Sequence, residues 1–148
     1  MPEKETVERA KKAKREGKAA STQAGEFVKE EIEHIREGKH GARSTKQAIA
    51  IGLSKARRAG VKLRPPKKGQ TAESTREQAE RDYRKGSRST TRKTSAKRSK
   101  ATTRALRREG SAAASKSALS RQAKAAAASR TKASRSRSAK KAAATRSR

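Results

Sequence analysis

Few residues of this chain have side chains suited to chemistry, and they are scattered. His34 and His40 have no second ligand at helical spacing, and there is no cysteine, so no metal site is expected. Glu30 and Glu31 form a carboxylate pair, which reads as part of a solvated acidic helix face rather than as an acid–base couple. Gly38 and Gly41 are not followed by the spacing of a phosphate-cradling loop. With one Phe, one Tyr and no Trp, the chain has too little apolar material to build a pocket that holds groups in register. No catalytic residue is assigned, no cofactor and no small-molecule ligand are expected, and the protein reads as a non-enzyme.

The basic side chains are where the sequence points to a function. Of 148 residues, 43 are Lys or Arg and 14 are Asp or Glu, a formal charge of +29. Self-repulsion at this charge opposes compaction unless a polyanion neutralises it. Residues 1–86 hold 23 basic and 13 acidic side chains, whereas residues 87–148 hold 20 basic side chains against a single acid, Glu109. Solubility does not require such a bias, but counterion release from a phosphate backbone rewards every unit of it. The candidate phosphate contacts begin with Lys46, Lys55, Arg57 and Arg58 on the polar face of a predicted helix, followed directly by Lys62, Arg64, Lys67 and Lys68. They continue through Arg88, Arg92, Lys93, Lys97, Arg98, Lys100, Arg104, Arg107, Arg108, Lys116, Arg121, Lys124, Arg130, Lys132, Arg135, Arg137, Lys140, Lys141, Arg146 and Arg148.

The chain carries no aromatic stacking platform, zinc-finger spacing or basic-zipper pattern, so the expected binding is broad in sequence and steep in salt. Duplex DNA is the expected partner, with an RNA- or ribosome-associated role as the alternative. A third reading makes the helical hairpin a protein-interaction module. No apolar run is long enough for a membrane span, and the charged start "MPEKETVERA" is unlike a secretory peptide. A cytoplasmic, nucleoid-associated location follows from the DNA reading.

Two amphipathic helices, at 22–37 and 45–59, must position the first group of cations. In the first, Phe27, Val28, Ile32 and Ile35 fall within an arc of roughly 140°, with Glu26, Glu30, Glu31, Glu33 and Glu37 assigned to the other face. Ser44 and Gln47 make a capping box for the second, and Gly38 and Gly60 suit the two helix stops. Ala48, Ile49, Gly52, Leu53, Ala56 and Ala59 share one face, where Gly52 predicts close approach of the neighbouring helix. Joined by a short turn, the helices read as an αα-hairpin with its core in 21–64, marginal alone and open to self-association. Weaker helices are predicted over 3–16 and 72–85. Bases could be read from 45–59 only if a rigid scaffold presented the helix, and the long turn argues against a helix-turn-helix.

Residues 87–148 contain 17 Ala, 13 Ser and 7 Thr, with Leu106 and Leu119 as the only larger aliphatics. That composition predicts a low-complexity tail that is disordered or conditionally helical in 101–128, and irregular beyond. The expected fold class is mostly α: a small helical module at 1–86 carrying a long basic tail at 87–148.

The stretch "KQAIAIGLSKARRAG", preceded by "GEFVKEEIEHIREGKHGARS", resembles a family of small basic bacterial proteins of unknown function, often labelled only as DNA-binding. The resemblance covers roughly residues 1–70 and implies no particular site residues. By composition the tail resembles those of linker-histone-like bacterial proteins, and this implies a histone-like, nucleoid-associated role.

Overall fold

Ser44 accepts a hydrogen bond from the Gln47 amide at 3.1 Å, while Gln47 Oε1 reaches back to accept from Arg43 N–H at 2.7 Å. The first bond satisfies an amide that the first turn of a helix leaves without a partner. The second goes to the residue before the cap rather than to Ser44 N–H, so the expected capping box is formed only in part. The helix they start, Thr45–Arg58, lies at the centre of the fold. The computed structural model describes residues 2–88 and 95–147, and within them every regular element is helical. These are α1 Lys4–Arg15, α2 Ala20–Arg36, α3 Thr45–Arg58, α4 Glu73–Ser87, α5 Ala96–Arg107, α6 Lys116–Ala128 and α7 Lys132–Arg146, with a short 3-10 turn at Ala112–Ala114. Gly17, Gly38 and Gly60, just past the ends of α1, α2 and α3, adopt φ of 70°, 73° and 89°, which glycine reaches without a Cβ clash.

The α2–α3 hairpin crosses at Gly52. A Cβ added there would lie 2.6 Å from Val28 Cα, so the two backbones meet where a side chain would hold them apart. A small apolar cluster forms on each side of this crossing. On one side Ala10 of α1, Ala24 and Phe27 of α2, Ala56 of α3 and Val61 pack together, with Val7, Leu53 and Leu63 at the edge. On the other, Ile32, Ile35, Ala42 and Ala48 meet Ala113 and Ala114, with Val28 and Leu119 alongside. The module is larger than a hairpin, because α1 packs on α2 and α4 packs on α3. Asp82 ties α4 to α3: it is buried, accepts from Ser54 Oγ at 2.6 Å and lies 3.7 Å from Arg58 Nε.

Residues 95–147 overturn the expectation of a disordered or conditionally helical tail. They form α5, α6 and α7, and α7 occupies the stretch expected to be irregular. Alanine, which has no side-chain rotamers to lose, supplies only 3 of the 12 residues of α5, but 6 of the 13 of α6 and 5 of the 15 of α7. Side-chain caps assist the last two, Ser115 accepting from the Ala118 amide and Thr131 from the Ser134 amide. The segment between α5 and α6 is also anchored to the module. Gly41 N–H donates to the Leu106 carbonyl at 2.9 Å, and Ala42 N–H to that of Gly110 at 3.1 Å. Thr45 Oγ1 donates to the Ala113 carbonyl at 2.7 Å, and Arg36 Nε to that of Ala114 at 2.9 Å. Gly41 has no Cβ to oppose this docking, since one built there would overlap the Glu109 carbonyl. No helix among the described residues is long and apolar enough to cross a membrane.

Candidate functional site

The sequence-predicted cations divide into two groups in space. In the module, Lys46, Lys62, Arg64, Lys67 and Lys68 are exposed, the last four on the irregular segment between α3 and α4. Lys55 and Arg57 are not surface groups, which corrects their assignment to a free polar face. Lys55 Nζ lies 2.6 Å from Glu31 Oε2 and 3.3 Å from Glu30 Oε1, with its side chain 16% exposed. Arg57 is buried, and its Nε donates to the Leu63 carbonyl at 3.2 Å; burial pushes its guanidinium below the usual arginine value, partly opposed by Asp82. Arg58 is half-exposed and held by Asp82 and the Ser54 carbonyl. Of α3, only Lys46, Ala50 and Arg58 are exposed, the remaining residues being partly or wholly covered. With α2, α4 and α6 packed around it, it is not presented as a helix that could enter a groove.

The second group is different in kind. Arg88, at the C-terminal cap of α4, is exposed, whereas Arg92, Lys93 and Arg148 lie outside the described residues. All 16 remaining cations of the tail, from Lys97 to Arg146, are exposed, and among the described residues none forms an ion pair. On α5 they line up. At 100° per residue Lys97, Lys100, Arg104, Arg107 and Arg108 fall within about 100° of one face, spread over about 16 Å of helix axis. Ser99 and Thr103 join Lys100, Arg104, Arg107 and Arg108 around a shallow hollow of about 500 Å³. A second shallow hollow brings Ser44, Thr45 and Lys46, at the start of α3, beside Arg121 and Gln122 of α6. On α7 the cations are distributed around the helix instead, and Arg130 just before it donates to Ser134 and Ser138 hydroxyls. The arrangement can contact phosphate oxygens at many points; nothing in it positions a nucleophile or a proton-transfer couple.

Beneath α3 lies a polar cluster that sequence reasoning placed on a solvated face. Glu30 and Glu31 are 2% and 0% exposed. Burial pushes the Glu30 carboxyl up, but the Thr6 hydroxyl, the Glu3 amide (3.1 Å) and Lys55 outweigh it, and the carboxyl sits below the usual range. His40 Nε2 lies 3.1 Å from Glu31 Oε1, and His34 Nε2 lies 2.8 Å from Glu3 Oε1. The two histidines, read as isolated, are thus neighbours, their rings 6.3 Å apart and edge to face. The missed signal was in the spacing. At 100° per residue Glu31 sits about 40° from Phe27, inside the apolar arc, and His34 is one turn on from Glu31.

A family model described as a family of unknown function (DUF6496) matches residues 3–68, which spans α1 to α3 and the segment after them. Neither a curated protein nor a solved structure matches the chain.

Proposed function

We propose that this protein is a non-enzymatic nucleic-acid-binding protein, and that its ligand is duplex DNA held by phosphate contacts without base reading. The observation that carries the reading is the block of 16 exposed, unpaired cations on α5–α7 and their connections, facing one half-buried acid, Glu109. The acids of the module are engaged with its own cations, so the excess charge is concentrated on one part of the molecule. On α5 one cation occurs about every 4 Å along the axis, comparable with the phosphate spacing of about 3.4 Å per strand of duplex. The absence of aromatic platforms among these helices favours a duplex over splayed single strands. A nucleoid-associated, histone-like role is the setting that this chemistry fits, with the hairpin module as scaffold.

The test is fluorescence anisotropy of a labelled duplex against salt. The logarithm of the association constant should fall with log salt at about 0.9 per neutralised phosphate. Replacing Lys97, Lys100, Arg104, Arg107 and Arg108 by Gln should make the slope shallower by up to about 4.5 by the same rule. A parent slope shallower than about −3, or one unchanged in the variant, would refute the reading. Tighter binding of a matched RNA duplex at equal salt would move the assignment to RNA.

A further inference from the structure

We infer that Glu31, His34 and His40 form a binding site for a divalent transition-metal ion, Zn²⁺ being the ion whose ligand chemistry fits best. One carboxylate oxygen of Glu31 and one ring nitrogen of each histidine lie within 4.8 Å of one another. Two imidazoles and a carboxylate suit Zn²⁺, which commonly takes three protein ligands and leaves a fourth position open. Both imidazoles are 14% exposed, so the open position would face a path to solvent.

Three further observations point to a cation at this place. First, Glu31 is fully buried, and neither of its oxygens receives a hydrogen bond in proper geometry. Lys55 Nζ at 2.6 Å and His40 Nε2 at 3.1 Å approach those oxygens, but off the hydrogen-bonding direction. A buried carboxylate without aligned donors retains its desolvation cost, and a metal ion would remove it.

Second, the imidazole protons are placed as in metal sites. His40 Nδ1 lies 3.0 Å from the Gly41 carbonyl, which can only accept, so Nδ1 carries the proton. In the neutral ring the lone pair is then on Nε2, the atom facing Glu31 Oε1. Two electron-rich atoms 3.1 Å apart are at nearly the separation, about 3.3 Å, of two ligands sharing a tetrahedral ion with bonds of about 2.0–2.1 Å. His34 Nε2 is 2.8 Å from the Glu3 carboxylate, the outer contact that ligating histidines commonly make, which leaves Nδ1 as its lone-pair nitrogen.

Third, the charge is unbalanced. Glu30 and Glu31 share one ammonium, Lys55, and a divalent ion on Glu31 Oε1 would offset the remaining negative charge without displacing it. A bound ion would tie the loop between α2 and α3 to α2, and that loop carries the two amides that hold residues 106–110. This inference does not depend on the nucleic-acid reading.

The full chain, nuclease-treated and stripped with a chelator, is titrated with Zn²⁺ by calorimetry, and Co²⁺ is added separately to read visible absorption. One equivalent should bind, the melting temperature should rise, and Co²⁺ should show the spectrum of nitrogen and oxygen ligands. The chain has no cysteine and no histidine besides these two, so binding has few other places to go. His34→Gln and His40→Gln should each weaken Zn²⁺ by at least about tenfold while circular dichroism stays at the parent level. These partly exposed positions are chosen because Glu31→Gln could fail to fold. Absence of a one-equivalent site, or equal affinity in the parent and both variants, would overturn the assignment.

Discussion

Gly52→Ala is the most direct perturbation of the hairpin. The added Cβ would stand 2.6 Å from Val28 Cα and 3.0 Å from both Val28 N and Val28 Cγ2. Carbon atoms in contact sit about 3.5–4.0 Å apart, so the site is short by about 1 Å. The obstructing atoms include backbone of α2, so no rotamer change relieves the clash and the whole helix must move. That shift would loosen both apolar clusters, the one around Phe27 and Ala56 and the one around Ile35 and Ala48. Overpacking of this kind costs about 1–3 kcal/mol, offset by the gain of about 1 kcal/mol when Ala replaces Gly in a helix. Gly25→Ala on α2 is the control, because a Cβ there meets nothing within 4 Å. It should gain about 0.5–1 kcal/mol. The net cost of Gly52→Ala is about 0–2 kcal/mol. By circular dichroism it should therefore melt between the parent's temperature and about 8 °C below it, and Gly25→Ala about 2 °C above it. Removing the Val28 side chain as well should not rescue Gly52→Ala, since the Cα and N contacts remain. If Gly52→Ala raised the melting temperature as Gly25→Ala does, the close crossing of α2 and α3 would be refuted.

Three further outcomes follow from the polar contacts. Lys55→Ala leaves Glu30 and Glu31 buried without their ammonium and should destabilise by about 3–5 kcal/mol in urea titrations, whereas exposed Lys46→Ala should stay within about 0.5 kcal/mol. Because the Glu30 carboxyl is held below its ordinary value of 4.5, its stabilising effect is present above that pH and lost as acid titrates it, so Glu30→Gln should flatten the fall of stability on acidification. Thr45→Val deletes the bond to the Ala113 carbonyl and should cost about 1 kcal/mol, with faster hydrogen exchange at Gly41 and Ala42 as the segment loosens.

What was legible in the sequence depended on which physical signal carried each feature. Ser44, Gly38 and Gly60 act through the local chain, so the limits of α3 and the end of α2 could be read within a residue. The start of α2 is at Ala20, two residues before the expected 22, and has no side-chain cap. Gly52 declared itself as an unfavourable residue on a buried face, and the crossing at Val28 is its reason. Glu31 lies on the buried face by angle, whereas Glu30, about 60° outside the apolar arc, is covered by the start of α1, where it meets the Glu3 amide and the Thr6 hydroxyl. The helical wheel puts Glu31 among the apolar residues, and Lys55, about 20° from Ala48 on α3, is its complement. The docking of the tail has only a faint hydrophobic signature, Leu119 beside two alanines, and rests mainly on backbone acceptors. Ala113 and Ala114 bury little side chain, and four carbonyls, of Leu106, Gly110, Ala113 and Ala114, accept the bonds that dock it. Backbone acceptors are present at every residue, so composition says nothing of which ones will be used.

The same division explains how so basic a chain can hold a fold. Within the module, carboxylates lie beside the cations that would otherwise repel: Arg9 beside Glu5 and Glu26, Arg76 beside Glu73 and Glu80, Arg84 beside Glu80. Exposed pairs of this type contribute little each, and the buried Glu30–Glu31–Lys55 group contributes mainly by making any other arrangement costly. In α5–α7 no such partners exist among the described residues, and the helices rest on alanine propensity, side-chain caps and one docked segment. Salt should therefore act on the two parts differently. It screens the mutual repulsion of the unpaired cations, while the buried group, shielded from solvent, is barely touched. On the nucleic-acid reading proposed above, such a molecule would release and rebind its polyanion as ionic strength changes while the helical module stays folded.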